Sequence, residues 1–261
     1  MKLHRIYAII LRYMYLFKHS FDRLSDAFYW PTIDLLLWGL TSSFLKSFAP
    51  NASTIVLIIV SGILLWIIVW RAQYEITVNL LEDLWNKNLI NIFVSPLSFN
   101  EWISSFLVIG LIKGLLSIAF ASVVAYILYK VQILTLGFYL LPFIALLILI
   151  GWSVGFFVAG LILRFGTRVQ TFAWTLVAIL MPFSAIYYPL SILPQWAQTV
   201  ARLIPTSYIF EGAREVIETG NISIDKLIWS FGLNLVYLIA SFLFLRQSFR
   251  TILNKGLVSV Y

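Results

Sequence analysis

Residues Gly137 to Leu163 read GFYLLPFIALLILIGWSVGFFVAGLIL, without one charged side chain. A helix over this stretch would be about 40 Å long, more than the roughly 30 Å of a bilayer's hydrocarbon core. No soluble helix needs to be apolar on every face over such a length, so this segment reads as a membrane span. The rest of the chain agrees. Of its 261 residues 61% are hydrophobic and only 11% charged, and the mean hydropathy is +0.95. A soluble domain is about 45–50% apolar and about 25% charged. These figures exclude a secreted enzyme, a nucleic-acid-binding domain and a disordered protein.

Five further stretches are long and apolar enough to be read as spans. They are Ala27–Phe48, Thr54–Trp70, Trp102–Tyr129, Val169–Pro189 and Lys226–Leu245, which makes six with Gly137–Leu163. Only Lys130, Val131, Gln132 and their neighbours separate the third from the fourth, which predicts a tight hairpin. An even count places both termini on one side. Twelve Lys and Arg fall in segments on the side of the termini, from Lys2 and Arg5 to Arg250 and Lys255. Five fall on the other side (Lys46, Lys130, Arg202, Arg214 and Lys226), and Lys113 lies inside the third span. By the positive-inside rule both termini are cytoplasmic. Basic residues at span ends suit orientation and anionic lipid better than nucleic acid. No internal repeat or low-complexity linker is evident, so residues 1–261 read as one membrane domain.

Three segments do not read as spans. In the N-terminal segment, residues 1–26, Leu3, Ile6, Tyr7, Ile10, Tyr13, Met14, Phe17, Phe21 and Leu24 recur at helical spacing. Lys2, Arg5, Arg12, His19 and Arg23 take the other faces. This is a basic amphipathic helix lying in the interface, either a simple anchor or a moving gate. In residues 73–97, Glu75, Asn79, Glu82 and Asn86 follow i, i+4, i+7 and i+11, one polar stripe along a short cytoplasmic helix. Ile76, Leu80, Leu84 and Trp85 form its apolar face. Such a helix is either an ordinary solvated one or a docking surface that projects its stripe into the cytoplasm. Ser95-Pro96 ends it, and Ser98-Phe99-Asn100-Glu101 is a capping box that opens the third span. In residues 190–220, Leu193, Trp196, Ala197, Val200, Ala201 and Ile204 oppose Gln195, Gln198, Thr199 and Arg202, between Pro194 and Pro205. A second piece over Ser207–Thr219 is capped by Gly220. The pair reads as a half-inserted outer lid or as part of an aromatic belt.

Catalytic chemistry is not legible. There is no P-loop, no H-E-x-x-H, no cysteine, and the two histidines, His4 and His19, are both N-terminal. No metal site is expected. Gly110-x-x-x-Gly114 and Gly151-x-x-x-Gly155 have the spacing that lets membrane helices approach closely. Asp34 and Lys113 are the ionisable residues inside the spans, and their depths allow them to pair.

Taken in order, these parts resemble the permeases of type-2 ABC exporters. The most specific piece is Leu193-Pro194-Gln195-Trp196 with Ile204-Pro205-Thr206-Ser207-Tyr208 and Glu211-Gly212-Ala213-Arg214. It is similar to the family's LP-x-W, NP-x-x-Y and R signature, with Ile204 in place of asparagine. Leu81-Glu82-Asp83-Leu84-Trp85 and Ser95-Pro96-Leu97-Ser98 resemble its coupling region. The resemblance implies an all-α polytopic permease with six transmembrane helices, an interfacial N-terminal helix, a cytoplasmic coupling helix and short outer re-entrant helices. It implies residence in the plasma (inner) membrane and a pathway formed with a second copy or a homologous permease. A separate cytoplasmic ABC ATPase subunit would bind ATP and Mg; no cofactor is expected in this chain itself, which would not be the enzyme. Coupling to the ATPase would fall to Glu75, Asn79, Glu82, Asp83, Trp85 and Asn86. The outer gate would hold Pro194, Trp196, Pro205, Tyr208 and Arg214. The substrate path would be lined by Trp30, Asp34, Trp38, Phe172 and Tyr187, for an amphipathic, lipid-linked or glycan-type substrate. The alternative from the residues alone is an ion-gradient-driven secondary transporter or channel, for which the spans hold almost no coupling charges.

Overall fold

The computed structural model describes residues 1–45 and 52–255, and all its regular structure is helical, with no strand among them. The helices are α1 (Leu3–His19), α2 (Phe21–Leu45), α3 (Ala52–Trp85), α4 (Leu89–Val94), α5 (Phe99–Tyr129), α6 (Leu140–Phe165), α7 (Phe172–Leu180), α8 (Gln195–Arg202), α9 (Pro205–Thr219) and α10 (Ile224–Lys255). Among the described residues, four helical stretches are long and apolar enough to cross a membrane: Thr54–Trp85, Phe99–Tyr129, Ile133–Val169 and Ile224–Asn254.

Two of the six expected spans differ from that standard, and two expected boundaries move. The first expected span belongs to α2, which has the length but carries Asp22, Arg23, Asp26 and Asp34 between its start and its middle turns. Its expected end at Phe48 lies outside the described residues. The fifth is not one rod: α7 stops at Leu180, Met181–Phe183 form a tighter turn around Pro182, and Ala185 takes a left-handed φ of 59°. Proline supplies no amide for a continuing helix, which ends the run there. The second does not stop at Trp70. From Arg71 to Trp85 there is neither glycine nor proline, so the helix runs on unbroken, and what was read as a separate short helix over 73–97 is mostly the end of α3. The N-terminal helix is shorter than residues 1–26, because the extended backbone of Ser20 separates α1 from α2.

Helix α3 is the centre of the bundle. Helices α2, α5 and α6 all pack on it, and α10 packs along the far side of α6. Helices α5 and α6, expected as a tight hairpin, pack on α3 rather than on one another. The small-residue spacings explain the closeness. A Cβ at Gly151 would stand 2.6 Å from Ala72 Cβ, and one at Gly155 would stand 2.8 Å from Ile76 Cδ1. Gly110 and Gly114 face Glu75 and Arg71 at ordinary contact distance. The expected capping box is present, with Ser98 accepting from the Glu101 amide and Glu101 from the Ser98 amide. Gly220 caps α9 in the left-handed region, as its position predicts.

Candidate functional site

The acidic stripe on α3 is turned inward. Of its residues Glu75 and Asn79 are buried and Glu82 is half-buried, and the neighbouring Asp83 is fully buried, so that only Asn86 at the end of the stripe is exposed as expected. Each acid meets a cation on a different helix. Lys113 Nζ of α5 lies 2.6 Å from Glu75 Oε2, and Asn79 donates to the same carboxylate at 3.3 Å. Arg23 of α2 pairs with Glu82. Arg12 Nη2 of α1 reaches Asp83 Oδ1 at 2.6 Å, Tyr13 OH donates to Asp83 Oδ2, and Asn88 Nδ2 donates to Oδ1 at 3.1 Å. Burying an unpaired carboxylate is prohibitive, so the stripe is tolerable inside only because α1, α2 and α5 bring these partners. Lys113 therefore pairs with Glu75, not with Asp34.

Both α1 groups that address Asp83 are shifted by it. Burial, and then the Asp83 carboxylate, push the Tyr13 phenol well above its ordinary range, so it remains a donor. Burial opposes the Arg12 charge, but the Asp83 carboxylate beside it outweighs burial and holds the guanidinium above its ordinary range. Glu101 adds a fourth tie, accepting from the Lys2 amide at 2.6 Å and lying 3.6 Å from Arg5 Nη1. Helix α1 is thus clamped to the ends of α3 and α5. Sequence reasoning named the acids but not Arg12, Tyr13 or Arg23 as their partners. The signal was their shared helical registers, with too many cations to choose among.

What faces outward is the turn beyond the ladder. Trp85 is 48% exposed, and Asn86, Lys87 and Asn91 are exposed with it. Trp85 Nε1 donates to Gln170 Oε1 at 3.0 Å, which brings the α6–α7 connection to this end of the bundle beside α1.

At the opposite end, α9 holds down the chain that follows α7. Arg214 Nη2 donates to the Ala185 carbonyl at 3.0 Å, and Nη1 lies 2.7 Å from Glu211 Oε1. Glu211 in turn accepts from the Leu190 amide at 2.9 Å. The Ser184 and Thr206 hydroxyls are 2.7 Å apart. Pro194 caps α8 and Pro205 opens α9, while Tyr208 OH donates to the Arg202 carbonyl at 2.9 Å. Trp196, 66% exposed, meets Phe183 edge-on with centroids 6.1 Å apart. Four of the five expected gate residues therefore join one network or cap, and Trp196 lies at its rim. Glu211, Ser184 and Ala185 complete it and were not singled out.

The expected path residues fall into two places and one outlier. Trp38 stacks on Tyr187 with centroids 3.9 Å apart and planes 21° apart. Asp34 and Trp30, one and two turns earlier on the same face of α2, line a cleft against α3 and α7. Phe172 is exposed at the start of α7 and outside that cleft. Among the described residues no cluster of His, Cys, Asp or Glu could hold a metal ion.

The search of curated proteins found no match to the chain. The family model described as ABC-2 type transporter matches residues 8–217, from the first turns of α1 through the ladder, the exposed turn and the outer network to α9. That match covers most of the chain and all three regions just described. The protein is a multi-pass membrane permease of the ABC-2 type transporter family.

Proposed function

We propose that the chain is the membrane half of an ATP-driven exporter, working with a second copy and with a separate cytoplasmic ABC ATPase that binds ATP and Mg. The exposed turn from Trp85 to Asn91 carries this reading. It stands at the end of the central helix with its own acids neutralised behind it, so a force applied there is transmitted to α1, α2 and α5 together. In this reading α2 and the α7 segment complete six crossings, both termini are cytoplasmic, and Arg214, Pro205 and their neighbours form the outer gate. The amphipathic, lipid-linked or glycan-type substrate moves outward past α2 and α7. The ladder changes how the docking surface is tested. Lysine at Glu82 or Asp83 would break the fold's own ion pairs, so it does not isolate docking. The exposed side chains do.

The chain has no cysteine, so single cysteines at Asn86 and Asn91 are unambiguous. Co-purification should recover a soluble P-loop subunit in stoichiometric amount, and a short bifunctional reagent should join it to either cysteine but not to one at Gln132. Recovery of a chain that moves substrate with no such subunit would sink the proposal in favour of an ion gradient. The buried Glu75–Lys113 pair does not favour that alternative, since Asn79 and Lys113 already satisfy the carboxylate.

A further inference from the structure

The cleft beside Trp30 and Asp34 has a chemistry of its own. It encloses about 420 Å³ between α2, α3 and α7, within the roughly 300–1,000 Å³ of drug-sized sites. Four indoles and a phenol line it: Trp30, Trp66, Trp70, Trp174 and Tyr74. Two carboxylates, Asp26 and Asp34, and one cation, Arg71, face it as well. Arg71 is committed. Its Nη2 donates to the Asp26 carbonyl, and its guanidinium carbon lies 5.4 Å from the Tyr74 ring centroid. Asp26 and Tyr74 stand against each other at the same end. Asp34 is half-buried, two turns further along α2, with no hydrogen bond or ion pair to any described residue. The walls thus carry one net negative charge amid aromatic faces. Two larger clefts, about 480 and 540 Å³, are lined by no charged side chain, and a third, about 510 Å³, has the cation Lys130 and no carboxylate.

Aromatic faces present negative potential and attract cations, most strongly where water is excluded. A hydrated metal ion or a primary ammonium would need several oxygen ligands, and Asp34 alone supplies them poorly. A bulky cation with no hydrogen-bond donors needs none. We infer that this cleft is a binding site for hydrophobic organic cations of the onium class, with the positive centre at Asp34 and the apolar groups against Trp66, Trp70 and Trp174. This rests on the export reading above and narrows its substrate to lipophilic cations.

The test uses the full chain, purified in detergent, with radiolabelled tetraphenylphosphonium as probe. Its anionic counterpart tetraphenylborate has the same shape and the opposite charge. Saturable binding of the cation, with no competition by the borate, is expected. Asp34→Asn should weaken it roughly tenfold or more, the worth of one charge-assisted contact, and Asp34→Glu should largely restore it. Trp66→Phe, which keeps the volume of an aromatic ring, should weaken it by a smaller factor. Retained near-ultraviolet circular dichroism in each variant would exclude misfolding. Equal binding of phosphonium and borate, or an unaltered affinity in Asp34→Asn, would overturn the inference. Binding needs no ATPase, so its failure is separate from failure of the export reading. ATP-driven export of neutral or anionic substrates only, from vesicles holding the whole complex, would likewise overturn the cation site while leaving export intact.

Discussion

Asp83 is a point of convergence, since Arg12 and Tyr13 of α1 and Asn88 beyond α3 all address its two oxygens. Asp83→Ala leaves three polar groups without their acceptor. It should lower stability by about 3–5 kcal/mol, the range for breaking a buried ion pair from one side. Tyr13→Phe removes one charged hydrogen bond and should lose about 2 kcal/mol. Thermal unfolding in detergent measures both, and equal losses would show that the ladder is not centred on Asp83. Glu215 provides the pH dependence. Hydrogen bonds from Ser223, and then Lys226, hold its carboxyl down to about 2, against an ordinary 4.5. A depressed carboxyl contributes stability that is full above its unfolded value and vanishes as pH falls through its folded one. The gap in unfolding temperature between wild type and Glu215→Gln should therefore be constant above about 4.5 and close as pH approaches about 2. A gap that closed while pH rose would contradict this assignment.

At the scale of elements, the contact between α3 and α6 depends on having no side chain at two positions. Gly151→Val would drive carbon into Ala72 Cβ and the Val69 carbonyl, 2.6 and 2.8 Å from even a single added Cβ. Overpacking of this kind costs about 1–3 kcal/mol, and more where backbone cannot yield. Gly232→Ala on α10 meets nothing within 4 Å and should be neutral or slightly stabilising, because alanine favours helix over glycine by about 1 kcal/mol. Yields and unfolding temperatures of the two variants separate packing from propensity. The segment after α7 should behave differently. Arg214→Met removes the donor that holds the Ala185 carbonyl and the partner of Glu211. Protease added from the outer side should then cut between Ser184 and Leu190, where wild type resists. Intact resistance would mean that the remaining Ser184–Thr206 contact suffices.

For the whole molecule, the ion pairs and the Trp85–Gln170 bond put α1, the exposed turn, the start of α5 and the α6–α7 connection at one end of the bundle. The α5–α6 connection and the α8–α9 network lie at the other. The segments richest in Lys and Arg are at the first end. Membrane-impermeant thiol reagents should accordingly label Gln132→Cys and Asn221→Cys from outside intact cells, and Asn86→Cys only after permeabilisation. Labelling of Asn86→Cys from outside would invert the topology. An N-terminal tag protected in intact cells, together with an outward Gln132, would establish that α2 crosses and bring the number of crossings toward six.

Composition and local signals alone dictate the solvent, the helices and their punctuation. Uncharged runs such as 137–163 leave no soluble option, and local signals act over a few residues. The Ser98–Glu101 box, the Ser95-Pro96 stop and Gly220 are such signals, and all stand where they were read. The continuity of α3 was also open to reading, since nothing between Arg71 and Trp85 breaks a helix. Which way the stripe of Glu75, Asn79 and Glu82 faces, and where the neighbouring Asp83 goes, was decided only in three dimensions. Periodicity shows that residues share a face, but the same face serves water or buried cations. The choice belongs to Arg12, Arg23 and Lys113, up to 71 residues away in the chain. The same holds for the aromatic cleft. Trp30, Trp66 and Trp174 come from three helices, and one among ten tryptophans carries no sign of its neighbours until α2, α3 and α7 pack.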